Sequence, residues 1–242
     1  AWAISVHLLR ELGMDPSAQL NNFNHCSSLI SPVPVATVRV AGGVARWPAG
    51  VESPRRLGPA LSSGGDAVTG VPPTRWIEGD HSSSLVKLTD AQRAATRHGA
   101  FIQHADRFDA SLFSVSPAEA IEMDPQQRLL LEVGHQALSG SGYDRSHLMG
   151  SRIGVFLGAE RPDWSFVRAA HPKQESVFAV TADTMSVAAG RVSFVFGLHG
   201  PCMSVDAACA AGLVAKHCAV RAQANNECAA AIVSLAGTRP VV

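Results

Sequence analysis

Aromatic side chains are scarce: nine Phe, four Trp and a single Tyr make up 6% of the 242 residues. A core with so few large rings must rely on close contact between small side chains and layers. Charge is sparse too, at 17%, with Lys plus Arg equal to Asp plus Glu at 20 each. A neutral chain without a basic cluster argues against nucleic acid as the main partner. No apolar run reaches the roughly 18 residues needed to cross a bilayer, so no membrane span is expected. No secretory leader is evident. The five cysteines, Cys26, Cys202, Cys209, Cys218 and Cys228, form no C-x-x-C pair. A bound metal is therefore not expected. Their odd number and loose spacing point to free thiols in a reducing intracellular compartment, cytoplasm or plastid. The chain opens on Ala1 rather than Met, which points to processing or to an upstream segment.

What is abundant is Ala, Gly and aliphatic residues, within a hydrophobic fraction of 46%. Residues 1–32 read as an N-terminal extension or linker. Ile4, Leu8 and Leu12 recur at helical spacing, so residues 1–12 are expected as a short amphipathic helix stopped by Gly13 and Pro16. Val33 to Val40 is β-branched and predicts a strand. Asp90 to His98 predicts a short exposed helix. Asp124 before Pro125, with Gln127 three residues on, is a helix start with a capping box, and Leu130, Val133 and Ala137 give that helix its apolar stripe up to Gly140. Residues 153–157 and 229–235 predict buried strands. Residues 186–196 predict a buried helix running into a strand, with Arg191 anchoring a hydrogen-bond network. Helices alternating with near-continuous apolar strands indicate an α/β layered fold.

Pro201-Cys202-Met203-Ser204-Val205-Asp206-Ala207-Ala208-Cys209-Ala210-Ala211-Gly212-Leu213 reads as a strand, a tight turn of tiny residues, and a helix apolar on nearly every side, expected to be buried. Cys209 falls at the start of that helix. Unpaired N–H groups and the positive end of the helix dipole favour thiolate there. Small neighbours leave room for a second molecule, so Cys209 is the candidate catalytic nucleophile. Composition alone would make it a buried structural thiol.

The segments along residues 33–242 resemble the β-ketoacyl synthase (ketosynthase) domain of type I polyketide and fatty acid synthases, in that family's order. Arg46-Trp47-Pro48-Ala49-Gly50-Val51-Glu52-Ser53-Pro54 resembles R-F-P-G-G-V-E-S-P. Phe108-Asp109-Ala110-Ser111-Leu112-Phe113 with Ser116-Pro117 resembles F-D-x-x-F-F-x-I-S-P. Met123-Asp124-Pro125-Gln126-Gln127-Arg128-Leu129-Leu130-Leu131-Glu132 is M-D-P-Q-Q-R-L-L-L-E unchanged, which favours the polyketide branch. Val205-Asp206-Ala207-Ala208-Cys209 lies on the nucleophile motif V-D-T-A-C.

The resemblance implies the thiolase-like α-β-α-β-α fold, of which residues 33–242 would be the N-terminal half, and a homodimer with the strand near residues 202–205 at its interface. It implies decarboxylative Claisen condensation through an acyl-Cys209. The partner would be an acyl carrier protein, whose phosphopantetheine arm delivers the acyl group; no cofactor would be bound directly. The two histidines and the lysine that serve the family's condensation step lie in motifs that follow the segment matched here. His217, His199 and His135 have no counterpart among them, and His135 is expected to face solvent. The family's T-A-C-S-S-S is here Ala207-Ala208-Cys209-Ala210-Ala211-Gly212, without its hydroxyls. Two functions follow from this reading. One is a ketosynthase acting with a His/His/Lys half from elsewhere and incompetent by itself. The other is a non-catalytic, ketosynthase-derived subunit of a larger assembly. A half-domain of this kind would expose apolar surface and is expected in an oligomer or with other protein subunits.

Overall fold

The computed structural model describes residues 3–11, 38–72, 89–160, 164–165, 168 and 176–237. Cys26, Gly13, Pro16 and the first part of the strand expected at 33–40 lie outside them. Five strands form the main sheet: β1 (Ala3–Glu11), β2 (Val38–Arg46), β5 (Ile153–Ala159), β6 (Cys202–Val205) and β7 (Ala230–Gly237), in the order β2-β1-β7-β5-β6. A separate two-stranded ribbon joins β3 (Thr69–Gly70) to β4 (His98–Gly99). The helices are α1 (Pro54–Ser62), α2 (Asp90–Thr96), α3 (Pro117–Glu122), α4 (Pro125–Gly140), α5 (Arg145–Leu148), α6 (Ala179–Ala182), α7 (Met185–Phe196) and α8 (Ala211–Ala224).

The N-terminal strand corrects the helix expected over residues 1–12. β1 is a central strand, antiparallel to both β2 and β7. Ile4, Val6 and Leu8 also alternate at the period of a strand, and two open rims outweigh a weak helical preference. Val6 and Leu8 are fully buried on one face, and Leu9 is buried on the other.

β5, β6 and β7 are mutually parallel through β5, with Val155 opposite Cys202 and Ile232. All seven residues of β5 are buried, which matches its unbroken apolar sequence. From β5 the chain passes through α7 to β6 at the sheet edge, then returns through α8 to β7 on the far side of β5. Right-handed crossovers in opposite directions put their helices on opposite faces. Accordingly α4 and α7 pack together on one face, and α8 packs on the other. Each face has its own core, one centred on Leu130, Leu131, Ile153 and Phe196, the other on Phe156, Ala215, Ala219 and Val233. The result is an α/β/α layering, as the alternation of elements implied.

α4 begins as its sequence indicates: the Asp124 carboxylate accepts from the Gln126 N–H at 2.7 Å, with Pro125 in the first turn. Gln127 does not close the expected capping box. Its amide donates to the Thr181 carbonyl at 3.2 Å, and its side-chain oxygen accepts from Arg191 Nε at 2.8 Å. Arg191 also pairs with Glu119, so it ties α3, α4 and α7 together as a partly buried network. Asp90–Thr96 is a helix, capped by Thr89.

Candidate active site

Cys209 lies where the sequence placed it, on the approach to α8. β6 ends at Val205, and the chain turns within three residues. The Asp206 carboxylate accepts from the Ala208 N–H at 3.1 Å, which folds the turn back on itself. Ala208 takes a left-handed conformation, φ 48°. That region costs an L-residue with a Cβ roughly 1–2 kcal/mol. The strain falls on the residue immediately before Cys209. Ala210 N–H then bonds to the Ala207 carbonyl at 3.0 Å, giving one 3-10 turn (Ala208–Ala210) that runs into α8. This strand–strained turn–helix arrangement lifts one side chain clear of the sheet end, as in nucleophile elbows. Cys209 is correspondingly exposed and is a free thiol.

No side chain caps α8: Ala210 occupies the cap position and makes no side-chain hydrogen bond. Asp, Ser or Thr at that place would accept from the first N–H groups; alanine cannot, and the Ala211 N–H donates instead to the Ala208 carbonyl, so the helix start has no side-chain acceptor. An anionic sulfur, or a carbonyl oxygen gaining charge, is suited to such a helix end.

Two glycines set the position of the turn. A Cβ at Gly158 on β5 would sit 2.5 Å from the Ala211 carbonyl carbon, so glycine lets the first turn of α8 rest directly on the sheet. A Cβ at Gly212 would come within 3.1 Å of Leu235 Cδ1. Ser204 Oγ donates to the Met185 carbonyl at 2.6 Å and ties β6 to the start of α7. Sequence reasoning did not single out Gly158 or Ser204; a glycine within a buried strand was the available signal for the first.

α8 is not buried all round. Ala211, Ala215, Ala219 and Ala222 face the sheet, whereas Leu213 is 74% exposed and Lys216 and His217 are open. The expectation of complete burial is corrected: the small residues form a flat seat against one sheet, and the opposite side has no layer upon it among the described residues. Phe194 on α7, at 86%, and Val177 and Val180 near α6 are also uncovered.

His217, His199, His135 and His7 stand apart from Cys209. His217 is eight residues along α8, about 12 Å down its axis. His199 precedes β6 and lies at the opposite end of that strand, which alone spans about 13 Å. His135 is on α4, across the sheet from α8, and is half-buried against Phe113 and Phe196, with ring centroids at 6.1 and 6.5 Å. It was expected to face solvent; the aromatic edges hold it in. His7 is on β1, three strands from β6, or about 14 Å across the sheet. Burial, and then the charge of Lys216, hold its imidazole below the ordinary 6.5. Cys202 on β6 is also free and exposed, but partial burial of its sulfur pushes that thiol's pKa up, which disfavours its thiolate. Among the described residues no three His, Cys, Asp or Glu side chains cluster to hold a metal.

The model of the β-ketoacyl synthase N-terminal domain matches residues 36–237. The spectinabilin polyketide synthase system protein NorC of Streptomyces orinoci is 39% identical over 202 residues, 83% of this chain and 9% of that protein. The pikromycin polyketide synthase component PikAII of Streptomyces venezuelae is 39% identical over 198 residues, 81% of this chain and 5% of that protein. Among solved structures, the oxazolomycin ketosynthase domain OzmH KS7 of Streptomyces albus JA3453 superposes with a TM-score of 0.62 at 26% identity, over 78% of this chain and 32% of that one. The chain thus spans less than a tenth of the two curated relatives and about a third of the solved domain. It belongs to the β-ketoacyl synthase family, as a ketosynthase N-terminal domain segment of the type I polyketide synthase kind.

Proposed function

We propose that residues 33–242 are the acyl-accepting half of a ketosynthase and that Cys209 is its nucleophile. The observation that carries this reading is the strained turn at Ala208, which presents an exposed Cys209 beside the uncapped start of α8. The Cys209 thiolate attacks the carbonyl of an acyl thioester on the phosphopantetheine arm of an acyl carrier protein. A new C–S bond forms to Cys209, the old C–S bond breaks, and the arm leaves as its thiol with the proton Cys209 gave up. The Cys209 N–H and the positive end of the α8 dipole favour the developing oxyanion. Condensation then requires loss of carbon dioxide from a malonyl-type extender and attack of its carbanion on the acyl-Cys. With His7, His135, His199 and His217 all out of reach of Cys209, that second step depends on a His/His/Lys half supplied from elsewhere. The chain works in a reducing compartment that keeps Cys209 as a thiol.

The same reading assigns β6 as the meeting edge of a homodimer. It is a four-residue edge strand carrying exposed Cys202 and Met203, the kind of open rim that pairs with another chain. A second reading, a non-catalytic structural subunit, draws on Ala210, Ala211 and Gly212 standing where the family has hydroxyls.

Incubation with a short acyl thioester, followed by intact-mass measurement, separates the two. The catalytic reading expects one added acyl group, absent in Cys209→Ala, and no condensation when a malonyl thioester is then added. A chain that takes up no acyl group at Cys209 supports the structural subunit; condensation by the chain alone contradicts its dependence on a second half.

A further inference from the structure

The face of the sheet covered by α4 and α7 holds a cavity that neither acyl transfer at Cys209 nor pairing at β6 uses. It encloses about 220 Å³ and opens where the last turns of α4 and α7 meet α5. α8, which continues from the Cys209 turn, belongs to the core on the opposite face.

The inner walls are rings. Phe113 and Phe196 meet edge to face with centroids 6.3 Å apart, and the His135 ring stands 6.1 Å from the first and 6.5 Å from the second. Phe108 stacks on Phe113 at 5.3 Å and 3° from parallel, so that wall is fixed from behind. Gly134 lets the Phe196 ring lie against α4, since a Cβ there would come within 3.3 Å of Phe196 Cε2. Leu148 is buried and closes the α5 side, whereas Leu112 is half exposed at the rim. An imidazole is the smallest of these rings, and it leaves the space between its larger neighbours unfilled.

The mouth is polar. Ser139, Asp144 and Arg145 line it. Asp144 caps α5 through Oδ1, which accepts from the His147 N–H at 2.9 Å and from the Ser146 hydroxyl at 2.6 Å. Those bonds hold its carboxyl down at about 2, so it is ionised at neutral pH. The His147 ring also meets Oδ1, and Oδ2 takes none of these bonds. Arg145 offsets the carboxylate in net charge, so the rim favours a neutral ligand with a hydrogen-bond donor over a charged one.

We propose that this cavity binds a small, neutral, flat heteroaromatic compound of indole size, with its ring among Phe113, His135 and Phe196 and its N–H donated to Asp144. A dry apolar cavity of about 150 Å³ takes up benzene, and roughly half as much volume again accommodates a fused bicycle. Ring-on-ring contact supplies the attraction, and one convergent polar group fixes the orientation. The ring itself uses the volume, which leaves none for a peptide backbone; the ligand is a free compound rather than the side chain of a partner protein.

The test titrates indole into the full chain at pH 7, with isothermal calorimetry for affinity and transferred NOE for position. Binding at 1:1 with a Kd on the order of 1 mM or tighter is expected for a ligand of this few atoms. The NOE contacts should fall on the Phe113 and Phe196 rings. Loss of the donor in 1-methylindole should weaken binding at least about fivefold. N-acetyltryptophanamide, which carries the same ring on a peptide unit, should bind at least about tenfold more weakly than indole. His135→Trp places an indole of the chain's own in the cavity and should abolish binding; the comparison of ligands on the unsubstituted chain stands whether or not that variant folds. No binding of indole, contacts elsewhere, equal binding of 1-methylindole, tighter binding of the tryptophanamide, or binding retained by folded His135→Trp would each overturn the proposal.

Discussion

Truncating one side chain of β1 tests whether this strand is part of the sheet or an appendage. In Leu8→Ala, three carbons are removed from a side chain that is fully buried between the sheet and α4. Leu-to-Ala changes at such sites cost about 2–5 kcal/mol, made up of lost transfer energy and the cavity left behind. The upper half of that range applies where the walls cannot close. Here Leu8 is held by ladders on both sides, with Gly42 on one and Ile232 on the other, so its backbone cannot follow the missing atoms. We expect a loss of about 3 kcal/mol. For a chain of this length that lowers Tm by about 6–12 °C. Urea unfolding followed by far-UV circular dichroism measures it, with Leu61→Ala on exposed α1 as the control, expected within about 0.5 kcal/mol. A Leu8→Ala effect no larger than the control would refute the central placement of β1 and restore an outlying extension.

Ala208→Gly removes the Cβ from a left-handed residue and is expected to stabilise the fold by up to about 1 kcal/mol, after the greater unfolded-state freedom of glycine is deducted; a loss of stability in urea unfolding would count against the strained turn. Gly158→Ala forces a methyl against the Ala211 backbone, so α8 must move off β5; alkylation of Cys209 by iodoacetamide should change at least about threefold while that of Cys202 stays constant. The half-buried His7 imidazole resists protonation, so it contributes stability that is present above about pH 6.5 and lost as pH falls through its lowered pKa, where the unfolded chain takes up a proton that the folded one refuses. Unfolding midpoints measured at pH 7.5 and 5.5 should therefore fall less in His7→Gln than in the unsubstituted chain; equal falls would remove His7 as a source of the acid sensitivity.

The elements with strong local signals were legible in the sequence. α4 announced itself through Asp124 and Pro125, and β5 and β7 through apolar runs too short and too β-branched for helices. Cys209 was placed correctly because a strand, a run of tiny residues and a helix leave little choice of geometry. What escaped the sequence depends on distant partners. β1 carries a pattern compatible with helix or strand, and rims at least 27 residues away in sequence decide between them. The seat of α8 on Gly158, the Ser204–Met185 bond and the capture of His135 by Phe113 and Phe196 are contacts between elements with no local trace. The apparent all-round apolarity of α8 misled for a related reason: alanine is counted as hydrophobic, but here it serves as a thin spacer on one face.

The relative acylation of cysteines bears most directly on the central claim, that the turn after β6 makes one sulfur a nucleophile. Cys202 and Cys209 are both exposed and free and only seven positions apart, so exposure alone predicts comparable modification. Treating the folded chain with a short acyl thioester at pH 7 and mapping the adduct by peptide mass spectrometry should place it on Cys209 at least about tenfold over Cys202, with the preference lost in urea. Equal modification of the two, or an adduct chiefly on Cys202, would contradict the account.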